Sequence, residues 1–456
     1  MAEKKGTKNM TVGSPKKHIV MFAIPIFFSQ LFQTLYNSVD SMIVGKFLGD
    51  EALAAVSSSG NLIFLVTSFF TGTAMGAGVI ISRYFGAKEY DRMSKAIHTN
   101  VAFGIVAGIF LTVFGVVATP TILRWMKTDP AIMPEAVTYF RYYFVGALAI
   151  VLYNVLTGIM NAVGNSKMPL IYLVISSIIN VILDYLFIGV FGWGVGAAAM
   201  ATTISQVVSV VLCIIYLVQK DKIYRIEFKK IRFHGDVFKE IIKFGLPTGV
   251  QNSVIGFANV IVQSNINSFG HVATAGYGAY IKIEAFAFLP ITCFSMAMST
   301  FISQNLGAGH KDRAKAGARF GIGTSVTLAE ITGIIIFILV PVLMRAFTDD
   351  EEVIRYGVTQ GRIEALFYMF LAYTHCIAGV FRGAGKALVP MVIMLSIWCL
   401  LRITLITIAM KICRDIRLIY IIYPITWFTS CVVFFIFYMK SNWLNGYDGK
   451  KKVANE

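Results

Sequence analysis

Apolar stretches of about 20 residues follow one another along nearly the whole chain, separated by short polar loops. A helix of that length crosses a hydrocarbon core of ~30 Å, and lipid favours helices because they satisfy their own backbone hydrogen bonds. The alternating pattern of a transmembrane barrel does not occur in the sequence. The pattern predicts an all-α integral membrane protein with twelve spans, at residues 18–42, 52–80, 95–119, 134–160, 168–191, 194–219, 240–266, 273–302, 316–343, 356–381, 388–411 and 417–439.

The polar segments divide the spans into two lobes. Tails are expected at 1–17 and 441–456, and a charged connector at 220–239 separates an N-lobe (18–219) from a C-lobe (240–440). With the N-terminus in the cytoplasm, 28 of the 40 Lys and Arg residues fall on the inside and 11 on the outside. Since short cytoplasmic loops are enriched in positive charge, the sequence predicts a multi-pass protein of the cytoplasmic membrane with both termini in the cytoplasm.

The two lobes repeat each other. The segment ISRYFGAKEYDR at 81–92 returns as ISQNLGAGHKDR at 302–313, and Pro120 returns as Pro341, in both cases 221 residues later. Each lobe has six spans, an even number, so both lobes start on the same side of the membrane and the repeats are parallel. Such a two-lobed bundle, with a cleft between the lobes, is typical of transporters.

Composition and motifs narrow the function further. The chain is 57% hydrophobic and 14% charged, whereas soluble domains carry about 25% charged residues. The net charge of +16 lies in the loops, so it indicates membrane topology and not a nucleic-acid partner. The six cysteines stand singly, without metal-binding spacing, and no Walker A or H-E-x-x-H motif occurs. We therefore expect neither an enzyme nor a cofactor other than a coupling ion.

Polar residues recur at helical spacing inside two apolar spans of the N-lobe. Gln33, Asn37 and Asp40 form one stripe of span 1, and Asn180 and Asp184 share a face of span 5. A carboxylate at membrane depth costs about 2.5–3.5 kcal/mol on insertion scales. A chain that bears this cost usually has a use for the charge.

Span 6 adds Thr202 and Gln206, again four residues apart. Carboxylate, amide and hydroxyl oxygens suit a hard cation such as Na⁺, or a shared proton. Two neighbouring carboxylates cannot easily both ionise, so one of them is expected to stay protonated. At the repeat offset, Asn180 and Asp184 become Leu401 and Leu405, which makes the predicted site a property of the N-lobe alone.

Further polar and soft side chains could line a cavity for an organic cation. Glutamate supplies charge, methionine soft packing and aromatic rings cation–π faces. The alternative is that they only pack or hydrogen-bond between helices. Glu364 is expected at the membrane interface, and Glu330, Arg402 and His375 are left between a structural and a substrate role. The substrate-cavity candidates are Glu284, Gln33, Asn252, Asn259, Gln206 and Met296.

These motifs together resemble one family. The run YNSVDSMIVG at 36–45, the pair Asn180-x-x-x-Asp184 and the segment Arg382-Gly-Ala-Gly385 are similar to the multidrug and toxic compound extrusion (MATE) family. The resemblance implies a V-shaped bundle of two six-helix lobes that exports amphipathic, often cationic, organic compounds in exchange for H⁺ or Na⁺ by alternating access. The family's N-lobe cation site maps onto Asn37, Asp40, Asn180, Asp184 and Thr202, with Na⁺ possible at Asp40, Asn180 and Asp184.

The C-lobe departs from one branch of the family. The NorM-like branch has acidic residues in spans 7 and 10, whereas span 7 here has none apart from Glu240 at its first position and span 10 has only Glu364. The chain therefore resembles the DinF-like branch more closely. Two alternatives stay open, namely a flippase for lipid-linked oligosaccharides of the same superfamily and a membrane receptor or scaffold without transport. We expect a monomer in contact with lipid, with no obligatory protein partner.

Overall fold

The computed structural model describes residues 9–125 and 132–446, and the regular structure in these ranges is helical. The α-helices are α1 (Pro15–Leu48), α2 (Asp50–Gly86), α3 (Tyr90–Trp125), α4 (Met133–Val145), α5 (Ala147–Ala162), α6 (Lys167–Asp184), α7 (Gly196–Leu217), α8 (Gly235–Asn267), α9 (His271–Gly307), α10 (Lys311–Arg345), α11 (Glu351–Glu364), α12 (Tyr368–Gly383), α13 (Leu388–Met394), α14 (Arg402–Ile412) and α15 (Ile416–Lys440). Shorter π and 3₁₀ turns lie at Tyr185–Val190, Phe228–Lys230, Ala365–Phe367, Leu395–Leu401 and Trp443–Asn445.

These helices account for the twelve predicted spans. Within the described ranges, nine helical stretches are long and apolar enough to cross a membrane, and the bent pair α4–α5 makes ten. The two remaining predicted spans, 52–80 and 240–266, correspond to helices α2 and α8. The prediction of an all-α membrane protein with two sets of six helical segments is confirmed.

Two predicted spans are broken at equivalent places in the two repeats. Helices α4 and α5 meet at Gly146 with a bend of 44°, and α11 and α12 are separated by the turn Ala365–Phe367. At the 221-residue offset, Gly146 corresponds to Phe367. A side chain at Gly146 would overlap the hydroxyl of Thr203 on α7, so the break in the first repeat is where a neighbouring helix approaches closely.

The described chain divides into two compact units. The first contains Phe28–Gly249, and the second contains Met10–Phe27 together with the chain from Val250 onwards. The connector and the first half of α8 therefore belong with the first unit, and the beginning of α1 belongs with the second, which differs from a simple division at 220–239. Both changes of unit fall two residues after a proline within a helix, Pro25 in α1 and Pro247 in α8.

Specific polar contacts hold these crossing segments in place. In the second unit, the Met10 N–H donates to Gln304 Oε1 at 3.1 Å, and the Arg313 guanidinium donates to the Met10 carbonyl at 3.0 Å. In the first unit, Arg83 and Glu240 form an ion pair with an N–O distance of 3.2 Å. Each unit thus binds the beginning of a helix whose remainder lies in the other unit.

Helices α2 and α8 cross with their backbones in contact inside the first unit. Gly72 and Gly76 of α2 face Gly249 and Gly245 of α8, and a side-chain carbon at any of these positions would overlap backbone atoms of the other helix. Pairs of small residues four apart are the usual way for membrane helices to approach this closely. The four glycines therefore fix the position of the first half of α8.

We expect Gly245→Ala to lower the thermal unfolding temperature of the purified protein in detergent. The added methyl group would overlap the carbonyl of Thr73, and overpacking of a tight contact costs about 1–3 kcal/mol. The matched control is Gly158→Ala in α5, where an added methyl group meets nothing within 4 Å. Equal unfolding temperatures for the two variants would show that the crossing is not a stabilising contact.

Candidate functional site

The end of helix α6 brings two predicted site residues into the interior of the first unit. Asn180 and Asp184 lie one turn apart on α6, with exposed fractions of 1% and 0%. The helix continues directly after Asp184 as a π-helical segment, Tyr185–Val190. Such wide turns are uncommon and often occur at functional sites. The predicted common face of Asn180 and Asp184 is therefore observed, and it points inward.

Residues from three helices meet there. Asp40 of α1 is 9% exposed, and its carboxyl group lies beside that of Asp184. The Asn180 side-chain amide lies 3.5 Å from the hydroxyl of Thr202 on α7. We use the name first acid cluster for the group formed by Asp40, Asn180, Asp184, Thr202 and Gln206.

The first acid cluster is rich in acceptors and poor in donors. Apart from the contact between the two carboxyl groups, several buried oxygens of the cluster accept no hydrogen bond from the described part of the chain. These are Oδ1 of Asp40, both oxygens of Asp184, Oδ1 of Asn180 and Oε1 of Gln206. Buried acceptors without a donor are costly. An acceptor set of this kind fits a proton or a hard cation such as Na⁺.

Two tyrosines that were not predicted from the sequence also lie at this cluster. Tyr36 of α1 lies near Gln33 and Gln206, and Tyr139 of α4 lies near Asp40 and Asp184. The spacing of Tyr36, four residues before Asp40, could have indicated it. Tyr139 depends on how α4 packs, for which the sequence gives no signal.

The other two polar residues of span 1 lie at the edge of this arrangement. Gln33 and Asn37 are exposed in the structure, and among the described residues no hydrogen bond links the Asn37 side chain to the first acid cluster. The role of Asn37 in cation binding stays a prediction, as does the role of Gln33 in a substrate cavity.

The second unit contains another pair of buried acids. Glu284 of α9 and Glu364 at the end of α11 are 7% and 0% exposed, and their carboxyl groups lie beside each other. The Tyr368 hydroxyl lies 3.4 Å from Glu284 Oε1, and the Gln360 amide lies 3.2 Å from Glu364 Oε1. The expectation that Glu364 is interfacial is wrong, because its side chain lies on the buried face of α11, the face that also carries Gln360. We call Glu284, Glu364 and Arg402 the second acid cluster.

Arg402 brings a permanent positive charge to that cluster. Its guanidinium donates to Thr426 Oγ1 at 3.2 and 2.9 Å and lies 4.3 Å from the centre of the Tyr423 ring. Among the described residues it forms no direct ion pair. Both Glu284 and Glu364 lie close enough to Arg402 to balance its charge electrostatically.

The remaining cavity candidates are spread over the second unit. Asn252 and Asn259 of α8 are half-buried and exposed, and Met296 of α9 packs against the hydrophobic core. The His375 ring lies 5.3 Å from that of Trp398. Their substrate roles stay predictions.

The fold and the buried acids define a class: multi-pass transporters built from two parallel helical repeats. The family model for MatE matches residues 25–186 and 247–408, one match in each repeat. The chain belongs to the MATE family.

Named relatives agree with this assignment. The chain is 28% identical over 403 residues to the probable multidrug resistance protein YoeA of Bacillus subtilis, covering 86% of each chain. It is 27% identical over 393 residues to the probable multidrug resistance protein NorM of Thermotoga maritima, covering 84% of this chain and 83% of the relative.

Solved structures show the same fold. A MOP superfamily transporter from Pyrococcus furiosus, described as having a binding pocket of reverse polarity, superimposes with a TM-score of 0.90 at 22% identity, over 96% of this chain and 98% of the other. The outward-facing conformation of a multidrug resistance MATE family transporter gives the same score, identity and coverage. The DinF-like branch stays a prediction.

We expect Arg402→Leu to destabilise the protein and Glu364→Gln to restore part of the loss. Removing one charge from a buried, balanced group costs about 3–5 kcal/mol, whereas removing both charges leaves the group neutral. Thermal unfolding of the two single variants and the double variant in detergent measures this coupling. Arg417→Leu, which removes an exposed pairing with Asp415, is the control and should have little effect. Additive losses in the double variant would show that Arg402 and Glu364 are independent.

Proposed function

We propose that this protein is a proton-coupled antiporter that exports amphipathic, cationic organic compounds by alternating access. The observation that carries the proposal is the close approach of the Asp40 and Asp184 carboxyl groups at a buried site whose oxygens lack hydrogen-bond donors in the described part of the chain. Relatives named as multidrug resistance proteins support the substrate class. Both termini lie in the cytoplasm in this proposal, and the protein acts as a monomer without a cofactor or nucleic-acid partner.

The charge on the Asp40–Asp184 pair affects the relative positions of helices α1 and α6. A hydrogen bond between two carboxyl groups needs one proton, so the contact between α1 and α6 is stable only in the protonated state. Loss of that proton leaves two like charges in contact, and their repulsion favours a different arrangement of the two helices. A proton that binds one arrangement better than the other shifts the equilibrium between them.

A proton explains this contact better than Na⁺ does. The Asp40 and Asp184 carboxyl groups already lie side by side, and a proton needs no further space between them. Na⁺ would require oxygens from several groups around it, and Asn180 and Thr202 are the neighbours that could supply them. The second acid cluster and the candidates Glu284, Gln206, Gln33, Asn252, Asn259 and Met296 would contact the substrate in this proposal.

We expect Asp40→Asn and Asp184→Asn to abolish efflux of ethidium from proteoliposomes energised by a pH gradient. Each change removes a carboxyl group that the shared proton requires. Efflux is followed by ethidium fluorescence at matched protein content, with a pH gradient and a Na⁺ gradient imposed separately. Asp236→Asn makes the same chemical change at an exposed position at the beginning of α8, and it should leave efflux unchanged.

Three results would contradict the proposal in distinguishable ways. Efflux driven only by the Na⁺ gradient would support an antiporter whose coupling ion is Na⁺ and not H⁺. Undiminished efflux by Asp40→Asn would remove the first acid cluster from the mechanism. Absence of efflux from the unaltered protein, with lipid-linked oligosaccharide crossing the bilayer instead, would identify the flippase alternative.

A further inference from the structure

A pocket of about 440 Å³ lies in the first unit, at the helix ends opposite the connector. It is formed by the first turns of α4 and by the segment that leads into α7. Its walls include Pro134, Glu135, Thr138, Tyr142, Trp193 and Met200. None of the first acid cluster residues lines it, so it is a separate site. The volume is within the range of small-molecule sites, which is roughly 300–1,000 Å³.

Two aromatic side chains present their rings at the pocket. Trp193 stacks on Phe187 with ring centres 4.8 Å apart, and yet it stays 45% exposed. Tyr142 is 44% exposed and is brought close by Gly196, where an added side-chain carbon would lie 2.8 Å from its ring. The pocket therefore offers a fixed indole face and a phenol face, and indole is the best aromatic partner for a cation.

One oxygen of the Glu135 carboxylate has no hydrogen-bond partner in the described part of the chain. Its Oε2 atom is buried and accepts no hydrogen bond in the described structure, and no Lys or Arg there forms an ion pair with it. The position in the first turn of α4 stabilises its negative charge through the helix dipole. The helix dipole alone can account for an acidic residue in the first turn of a helix. The equivalent helix of the second repeat shows whether Glu135 differs from such a residue.

The second repeat provides that comparison. Helix α11, which corresponds to α4, also begins with acidic residues, Glu351 and Glu352. They are exposed and paired with Arg345 at 3.2 Å and Arg355 at 3.4 Å. The acids of α11 therefore have cationic partners from the protein, whereas Glu135 lies beside a pocket with aromatic walls and has no such partner among the residues that the structure describes.

We propose that this pocket binds the cationic group of an organic ammonium compound, between the Trp193 and Tyr142 rings and beside Glu135. The aromatic faces attract the charge through cation–π interaction and the carboxylate balances it. Pro134 and Met200 cover the apolar substituents. The ammonium group can belong to a free compound or to a lipid headgroup. This inference does not depend on the proposed antiport.

The test is binding of benzyltrimethylammonium to the purified full-length protein in detergent, measured by isothermal titration calorimetry. We expect saturable binding that Glu135→Gln and Trp193→Leu each weaken by about tenfold or more, since a lost charge-assisted or cation–π contact is worth about 1.5–2 kcal/mol. Trp193→Phe keeps an aromatic ring and should lose less. Glu352→Gln is the matched control and should bind as the unaltered protein does.

Asp40→Asn separates this inference from the proposed function. It should lose transport and keep benzyltrimethylammonium binding, because Asp40 does not line the pocket. Unchanged affinity in both Glu135→Gln and Trp193→Leu would overturn the inference, and so would loss of all binding in Asp40→Asn.

A second arm identifies the source of the ammonium group. The unaltered protein and Glu135→Gln are placed in vesicles of phosphatidylglycerol, with and without phosphatidylcholine. A Glu135-dependent affinity that falls when phosphatidylcholine is present would identify a lipid headgroup as a ligand. A Glu135-dependent affinity that does not change would identify free ammonium compounds. An affinity that is the same in both proteins in both kinds of vesicle would reject the pocket.

Discussion

The cost of placing a carboxylate inside a membrane governs the interior of both units. Each buried acid would cost several kcal/mol as an isolated charge, and each unit holds two of them. In both units the two carboxyl groups come from different helices and lie beside each other, Asp40 with Asp184 and Glu284 with Glu364. Because two like charges this close repel each other, the packing of these helices is expected to depend on the charge state of the pair.

Residue spacing along single helices was enough to predict the Asp40–Asp184 pair, but it did not predict the Glu284–Glu364 pair. Helical spacing placed Asn180 and Asp184 on one face, and the insertion cost of Asp40 required it to face the interior, so their meeting could be predicted. Glu364 was assigned by its distance from the end of a span. It lies on the buried face of α11, together with Gln360, and which face of that helix is buried depends on how it packs against other helices.

The duplicated halves keep polar residues at corresponding positions while exchanging their identities. At the offset of 221 residues, Glu364 corresponds to Tyr143, Gln360 to Tyr139 and Tyr423 to Thr202. A search for acids at positions equivalent to Asp184 therefore finds leucine and misses the second acid cluster. Comparison of polarity, and not of residue type, would have shown that both halves keep a polar interior at this depth.

The two crossing helices have a consequence for how the chain is assembled during synthesis. Residues 10–27 leave the ribosome first, but their packing partners begin at Val250, and the bond from Met10 to Gln304 joins positions 294 residues apart. Such contacts form late because the intervening chain must be made first. A fragment that ends with the connector at residue 239 would lack residues 240–249 of its own unit, and a fragment that begins after it would lack residues 10–27. Neither sequence repeat contains a complete structural unit.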